Sequence, residues 1–375
     1  MEDYWKNDSL RTREKTRGVK PSRDIFISTS HQSLLYIQIM PYSGYLLFSG
    51  GLDSILAARV LQEQNIKVTG VTLVSNFFDA EKARESAQKI GIDLEEVDIS
   101  REMIEIVKDP AHGHGKNLNP CIDCHMFMLK KLKEKFLDKC EDGCFAATGE
   151  VLGQRPFSQN KEALTEVAKA AGIEVLRPLS AKNLPPTSME EKGWVDRSKL
   201  LDIQGRSRNR QKELARKYRI KDHPSPAGGC LLTDLQFSQR LGEMMKRWPG
   251  ATPEDVELLK YGRIFWANFL DKKWVLMVVA RDQKEAEKLE QLARAGDVVV
   301  ELSETTGPLT LVRELKTETD QKKQKLEVYI PEDWPYNLLT PPQRKDQLLE
   351  TAALVTGYYK PVARGGEVKV EINKI

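Results

Sequence analysis

No run of about 18 apolar residues occurs in this chain, so no helix able to cross a bilayer is expected. The charged start, short apolar core and small-residue cleavage site of a secretory leader are missing too, which points to a cytoplasmic protein without a membrane partner. Charge of one sign is not in excess. Lys and Arg number 58 against 55 Asp and Glu, a net of +3, so any nucleic-acid surface has to be local. Histidine is scarce, with five: His112, His114 and His125 flank a pair of cysteines, and His223 lies just before a third. Cysteine is equally scarce, and five thiols in a cytoplasmic protein point to metal or redox chemistry before disulfides.

What is present suffices for more than one core. The 375 residues, 40% apolar and 30% charged, predict two or three folded domains. Residues 1–39 are polar and rich in both charge signs and read as an N-terminal arm. From 45 to 178 strands (45–49, 67–74, 94–98, 143–148, 174–177) alternate with helices (53–64, 79–91, 122–139, 159–171). That alternation predicts an α/β fold, a parallel sheet with helices on both faces, and places ligands beyond the C-terminal strand ends. A catalytic domain is expected over 40–233, its loop-rich stretch 180–233 forming a lid around the basic run Arg206–Arg219. From 234 to 375 the pattern becomes a separate α+β domain: two short helices, strands at 263–270, 273–280, 297–302 and 308–313, a charged helix at 282–295, and a last helix and strand.

The sharpest local feature is Ser49, Gly50, Gly51, Leu52, Asp53 and Ser54, between the apolar run Tyr45–Phe48 and the amphipathic run Ile55–Leu61. A strand, a glycine turn and a helix leave bare N–H groups at a helix N-terminus, where a phosphate is stabilised. Gly50 and Gly51 let the backbone approach the phosphates, the serines donate hydroxyls, and Asp53 is a candidate holder of Mg²⁺ on a pyrophosphate. The plainer alternative is a turn joining a strand to a helix. The string SGGLDS resembles the PP-loop of the ATP pyrophosphatase superfamily, which implies cleavage of ATP to AMP and pyrophosphate with adenylation of a substrate oxygen. ATP is then expected on Ser49–Ser54 together with Val71, Thr72, Gly149 and Gln154.

Cys121 and Cys124 open a helix as i, i+3 neighbours on its first turn, where the helix N-terminus favours thiolate, and Cys230 follows a Pro-Ala-Gly-Gly turn. Three thiolates can hold a [4Fe-4S] cluster and leave one iron open, whereas structural zinc wants four ligands and is the second choice. Cys140 and Cys144 read as surface or packing residues. The string GKNLNPCIDC, Gly115–Cys124, resembles the cysteine loop of PP-loop tRNA thiolases, some of which use a persulfide and others a cluster. Thr148–Arg155 with Ser158 and Gln159, and then Arg177-Pro178-Leu179, resemble segments of the tRNA 4-thiouridine synthetase family. No counterpart of that family's N-terminal RNA-capturing domain or of a rhodanese-type segment is apparent. Residues around Trp274–Arg281, Gly296–Val298 and Gly307-Pro308 resemble the RNA-binding domain of NFACT proteins. That likeness makes Trp266, Trp274, Tyr358 and Tyr359, beside Lys272, Lys273 and Lys360, candidate RNA contacts.

The resemblances together imply ATP-dependent tRNA uridine thiolation. Asp53, Cys121 and Cys230 would be catalytic, and Cys121, Cys124 and Cys230 would hold a [4Fe-4S] cluster. The sulfur donor would be sulfide or a cysteine desulfurase persulfide, and a homodimer is a further expectation. Three alternatives stand beside it: a cluster-free persulfide thiolase, a small-molecule PP-loop ligase, and a non-enzymatic RNA-binding factor.

Overall fold

The stretch Lys67–Val74, KVTGVTLV, is rich in β-branched side chains, which fit a pleated and buried surface better than a helix. It forms β2 of a five-stranded sheet with β1 (Ser43–Leu47), β3 (Asp93–Asp98), β4 (Cys144–Thr148) and β5 (Val175–Leu176). The computed structural model describes residues 42–140, 142–220, 229–269, 273–314, 323–334 and 344–375, all within the unit Pro41–Ile375. All pairings in this sheet are parallel and its order is β3-β2-β1-β4-β5. The chain therefore winds one way from β1 and the other way from β4, which makes the β1/β4 boundary a switch point where a crevice opens at the C-terminal strand ends.

Side chains alternate across the sheet. Leu46 and Phe48 face a core built by α1 (Leu52–Gln62), α2 (Glu81–Ile90) and the segment Leu176–Ile203, while Tyr45 and Leu47 face α3 (Ser100–Lys108) and α4 (Cys121–Lys135). Helix α5 (Lys161–Ala171) completes that second face through Val167 and Ala171. Its ends follow from local chemistry. Asn160 Oδ1 accepts from Ala163 N–H at 2.8 Å, and Gly172 closes the C-terminus in the left-handed conformation. The segment after β5 is thus not only a lid: Leu179, Met189, Val195, Leu200 and Ile203 are buried. The short helix α6 (Ser188–Glu191) sits within it, and part of the basic run forms α7 (Asn209–Lys217).

The rest of the chain builds a second sheet, antiparallel throughout, from β6 (Arg263–Phe269), β7 (Lys273–Val279), β8 (Val298–Leu302), β9 (Thr310–Arg313), β10 (Lys323–Ile330) and β11 (Gly366–Lys374). Helix α11 (Lys345–Tyr358) packs Leu348, Ala352 and Ala353 on one face against Val300, Val370 and Ile372. Helices α8 (Leu235–Arg247), α9 (Pro253–Leu258) and α10 (Gln283–Leu292) lie elsewhere, and α8 and α9 share one core with the parallel sheet: Leu241, Met244 and Val256 join Leu73, Met103 and Ile104.

Beside this core Arg313 is fully buried, held by Asp297 at 2.8 Å and Asp255 at 3.1 Å, and it donates to the carbonyls of Glu254 and Leu292. Helix α3 and strand β10 are absent from the sequence reading. β10 is an edge strand whose Leu326, Val328 and Ile330 alternate with charged or polar residues, a two-residue period masked by three Lys and Glu residues among its eight.

Candidate active site

Phe48 N–H donates to Val71 C=O at 2.9 Å, so β2 holds the chain in line up to the point where Ser49–Gly51 turn into α1. Gly50 has φ +69, and a side chain there would meet the carbonyl of Lys82 on α2, so the turn is closed tightly beneath this residue. Ser86 Oγ donates to Gly50 C=O at 3.0 Å, and Ser54 Oγ to Gly51 C=O at 2.8 Å. No side chain caps the N-terminus of α1. That leaves its first N–H groups without a side-chain partner, the arrangement in which a helix N-terminus favours an anion. Val71 and Thr72 are buried in β2, and of the two the Val71 carbonyl takes the Phe48 N–H before the turn.

From the other side of the switch point comes the loop after β4. A Cβ on Gly149 would lie 2.7 Å from Asp53 C and from Ser54 N and Cα, so the loop touches the first turn of α1 backbone to backbone. Gln154 Nε2 donates to Asp53 Oδ2 at 2.8 Å, and Gln211 Nε2 of α7 donates to Gln154 Oε1 at 2.9 Å. Arg208 also reaches Asp53 Oδ2, at 2.9 Å. Asp53 Oδ1 is buried without a hydrogen-bond partner. A carboxylate with one oxygen spoken for and the other open suits a divalent cation on a pyrophosphate. Arg208 and Gln211 were not singled out from the sequence; the only signal was their place in the basic run 206–219.

The three free cysteines are neighbours. Burial pushes the Cys124 thiol up, and Cys230, Cys121 and Asp123 push the same way. Burial also raises Cys121 and lifts Cys230 to about 11, and in both the charge of Arg155 works in the opposite direction. The expected preference for thiolate at the α4 N-terminus is therefore outweighed by desolvation. Cys121 Sγ donates to Asn119 Oδ1 at 3.1 Å. Among the described residues no group of three or more His, Cys, Asp or Glu side chains is arranged to hold a metal ion, so the three thiols as placed do not make a ready cluster seat. Cys140 and Cys144, read from the sequence as surface or packing residues, are joined in a disulfide across the turn that leads into β4.

Beneath the site lies Glu150. His125 Nδ1 is 3.3 Å from one carboxylate oxygen, while Arg177 Nε at 3.1 Å and Thr148 Oγ1 at 2.9 Å donate to the other. Burial alone would raise its pKa, but the His125 hydrogen bond and the Arg177 charge prevail and bring it down to about 2. His112 sits between Asp123 at 2.9 Å and Glu166 at 3.3 Å, and the Asp123 hydrogen bond raises its pKa against the effect of desolvation. His114 meets the Val107 carbonyl at 2.8 Å. His223 and Lys272 lie outside the described residues. In the second sheet Arg247 covers Trp274 and Trp266 at 4.5 and 5.4 Å, while Tyr358 and Tyr359 pack with Phe265 and Trp334 under Arg364 and Arg263.

Comparison with known proteins finds partial likenesses. A model for a family of unknown function, DUF7411, matches residues 43–151. The tRNA-specific 2-thiouridylase MnmA of Syntrophomonas wolfei is 33% identical over 110 residues, 27% of this chain and 32% of that protein. The enzyme of the same name from Clostridium acetobutylicum is 32% identical over 137 residues, 30% of this chain and 39% of its own. The chain thus spans about a third of the length of these curated relatives. Among solved structures, a 4-thiouridine synthetase in complex with RNA and bound ATP aligns over 48% of this chain and 51% of its own at 19% identity, with a TM-score of 0.29. A predicted tRNA methyltransferase subunit from Methanocaldococcus jannaschii covers 36% of this chain and 68% of its own at 20% identity, with a TM-score of 0.28.

Proposed function

We propose that this chain is an ATP-dependent tRNA thiolase. The observation that supports the reading is an uncapped helix N-terminus at the switch point beside the half-paired carboxylate of Asp53, which is held by Gln154, the neighbour of the Arg155 whose charge reaches Cys121 and Cys230. Limited similarity to tRNA-specific 2-thiouridylases supports it from outside the site.

In this reading ATP phosphates sit on the first N–H groups of α1, with Gly51 leaving that face without a side chain while Gly50 and Gly149 let the turn close on α2 and the β4 loop close on α1. Mg²⁺ would be held by Asp53 Oδ1 and would neutralise charge on the departing pyrophosphate. A uracil carbonyl oxygen attacks the α-phosphorus and pyrophosphate leaves, which makes the oxygen a good leaving group as AMP. The outer sulfur of a cysteine persulfide then attacks the activated ring carbon and AMP leaves; a second cysteine thiol attacks the S–S bond, which leaves the sulfur on the ring and a disulfide between the two cysteines that an external thiol reductant reopens. Cys121 and Cys230 are the candidates to carry the sulfur as a persulfide, because they are the two free thiols that are only half-buried. Cys124, the most deeply buried of the three, packs beneath them. The second sheet with its helices is assigned to RNA.

The test is release of pyrophosphate and formation of thionucleoside with bulk tRNA as substrate. Asp53→Ala is expected to abolish both. A variant that releases pyrophosphate at the wild-type rate removes Asp53 from the site. Anaerobically purified protein holding about four irons per chain, with loss of any one of the three cysteines lowering the iron, would replace the persulfide by a cluster.

A further inference from the structure

Residues Gly153–Asn160 form a loop closed on itself. Gly153 N–H donates to Gln159 C=O at 2.7 Å, Gln159 N–H to Arg155 C=O at 2.9 Å, and Asn160 Nδ2 to Pro156 C=O at 2.9 Å. Ser158 and Gln159 anchor it, 4% and 6% exposed, yet Phe157 between them and Pro156 stands 86% in water. Among the described residues the next most exposed large aromatic side chain is Tyr329, at 58%. Folding has thus pinned the backbone of this loop while leaving its ring in water; a single exposed apolar residue is ordinary by itself, and what would set this one apart is standing beside a site.

Phe157 does border one. Three residues before it, Gln154 holds the Asp53 carboxylate, and two before it Arg155 carries the charge felt by Cys121 and Cys230. A uracil carbonyl that is to reach an α-phosphorus in this crevice must first leave its stack in the RNA, and an enzyme that extracts a base loses that stacking unless something replaces it. An aromatic ring held out on a closed loop, with a guanidinium two residues away for a phosphate, has the chemistry for the replacement.

We propose that Phe157 is a stacking platform for a base of single-stranded RNA at or beside the target uridine, with Arg155 taking an adjacent phosphate. This inference rests on the tRNA thiolase reading and assigns that reading's substrate contact to a specific ring. The surface selects an unpaired segment, because a paired base has no free face to offer.

The experiment compares the full chain with Phe157→Ala, Phe157→Tyr and Phe157→Leu, by tRNA filter binding at fixed salt and ATP calorimetry. Loss of one base stack is expected to weaken tRNA binding on the order of 5- to 100-fold in Phe157→Ala, with Tyr restoring it and Leu not. ATP affinity and the thermal midpoint stay at their wild-type values, since the ring supports neither. Arg155→Ala is expected to reduce the slope of log affinity against log salt by about one, while Phe157→Ala leaves that slope unchanged. If the wild type binds tRNA and Phe157→Ala binds it equally well, or Leu rescues as fully as Tyr, the stacking role is wrong while the thiolase reading stands. A wild-type chain that binds no tRNA overturns both.

Discussion

A single methyl group at Gly149 should disable the nucleotide site while leaving the fold in place. In Gly149→Ala the new Cβ would lie 2.7 Å from three backbone atoms of Asp53 and Ser54. Carbon atoms rest at roughly 3.5–4.0 Å, so about 1 Å must be recovered by movement. Neither side yields easily. Gly149 directly follows β4, whose Thr148 is registered against Leu47 of β1, and α1 is anchored by eight buried residues. Overpacking of this kind costs about 1–3 kcal/mol of stability, and a shift near 1 Å in the first turn of α1 moves the N–H groups assigned to phosphate enough to cost on the order of 100-fold in turnover. Urea unfolding and ATP calorimetry on the same preparation measure the two effects. Gly91→Ala and Gly172→Ala are the controls: both sites have positive φ, 67° and 66°, with nothing within 4 Å of an added Cβ. They should lose about 1 kcal/mol of stability each and no ATP affinity. Wild-type ATP affinity in Gly149→Ala would refute the claim that the β4 loop and the α1 N-terminus form one site.

Two further predictions concern buried charge. Arg313→Met leaves Asp255 and Asp297, 6% and 2% exposed, without their shared cation, and is expected to cost about 3–5 kcal/mol, seen as a lower urea midpoint with an unchanged slope. A loss under about 1 kcal/mol would mean that the other partners suffice: Arg294, 3.1 Å from Asp255 and donating its backbone N–H to Asp297, and Thr252, which donates to Asp255 at the start of α9. Glu150, whose folded pKa of about 2 lies below the ordinary 4.5, contributes stability that is complete above pH 4.5 and is lost as the pH falls toward 2, about 3 kcal/mol in all. Glu150→Gln should flatten that part of the stability–pH curve, and an unchanged curve would shift the acid sensitivity to other carboxylates.

Much of this molecule was legible along the chain, and the part that was not has a common cause. The strand–turn–helix around Ser49–Ser54 and the alternation that makes a parallel sheet are written in neighbouring residues, because hydrophobic period and glycine placement act over a few positions. The same holds for the i, i+3 placement of Cys121 and Cys124 at the start of α4. Helix α3 and edge strand β10 escaped, one being short and the other carrying its apolar residues among charges. Only the tertiary structure decided who meets whom. Asp53 takes its partners from 101 and 155 residues away, Gly149 is obligatory because α1 passes against it, and Cys230 comes within electrostatic reach of Cys121 and Cys124 from beyond a hundred residues. It also set the protonation of those thiols, since the local helix N-terminus favours thiolate while the burial that only packing creates disfavours it more. Local pattern specifies elements; the pairing of elements, and with it the electrostatics of the site, depends on the order in which the strands assemble.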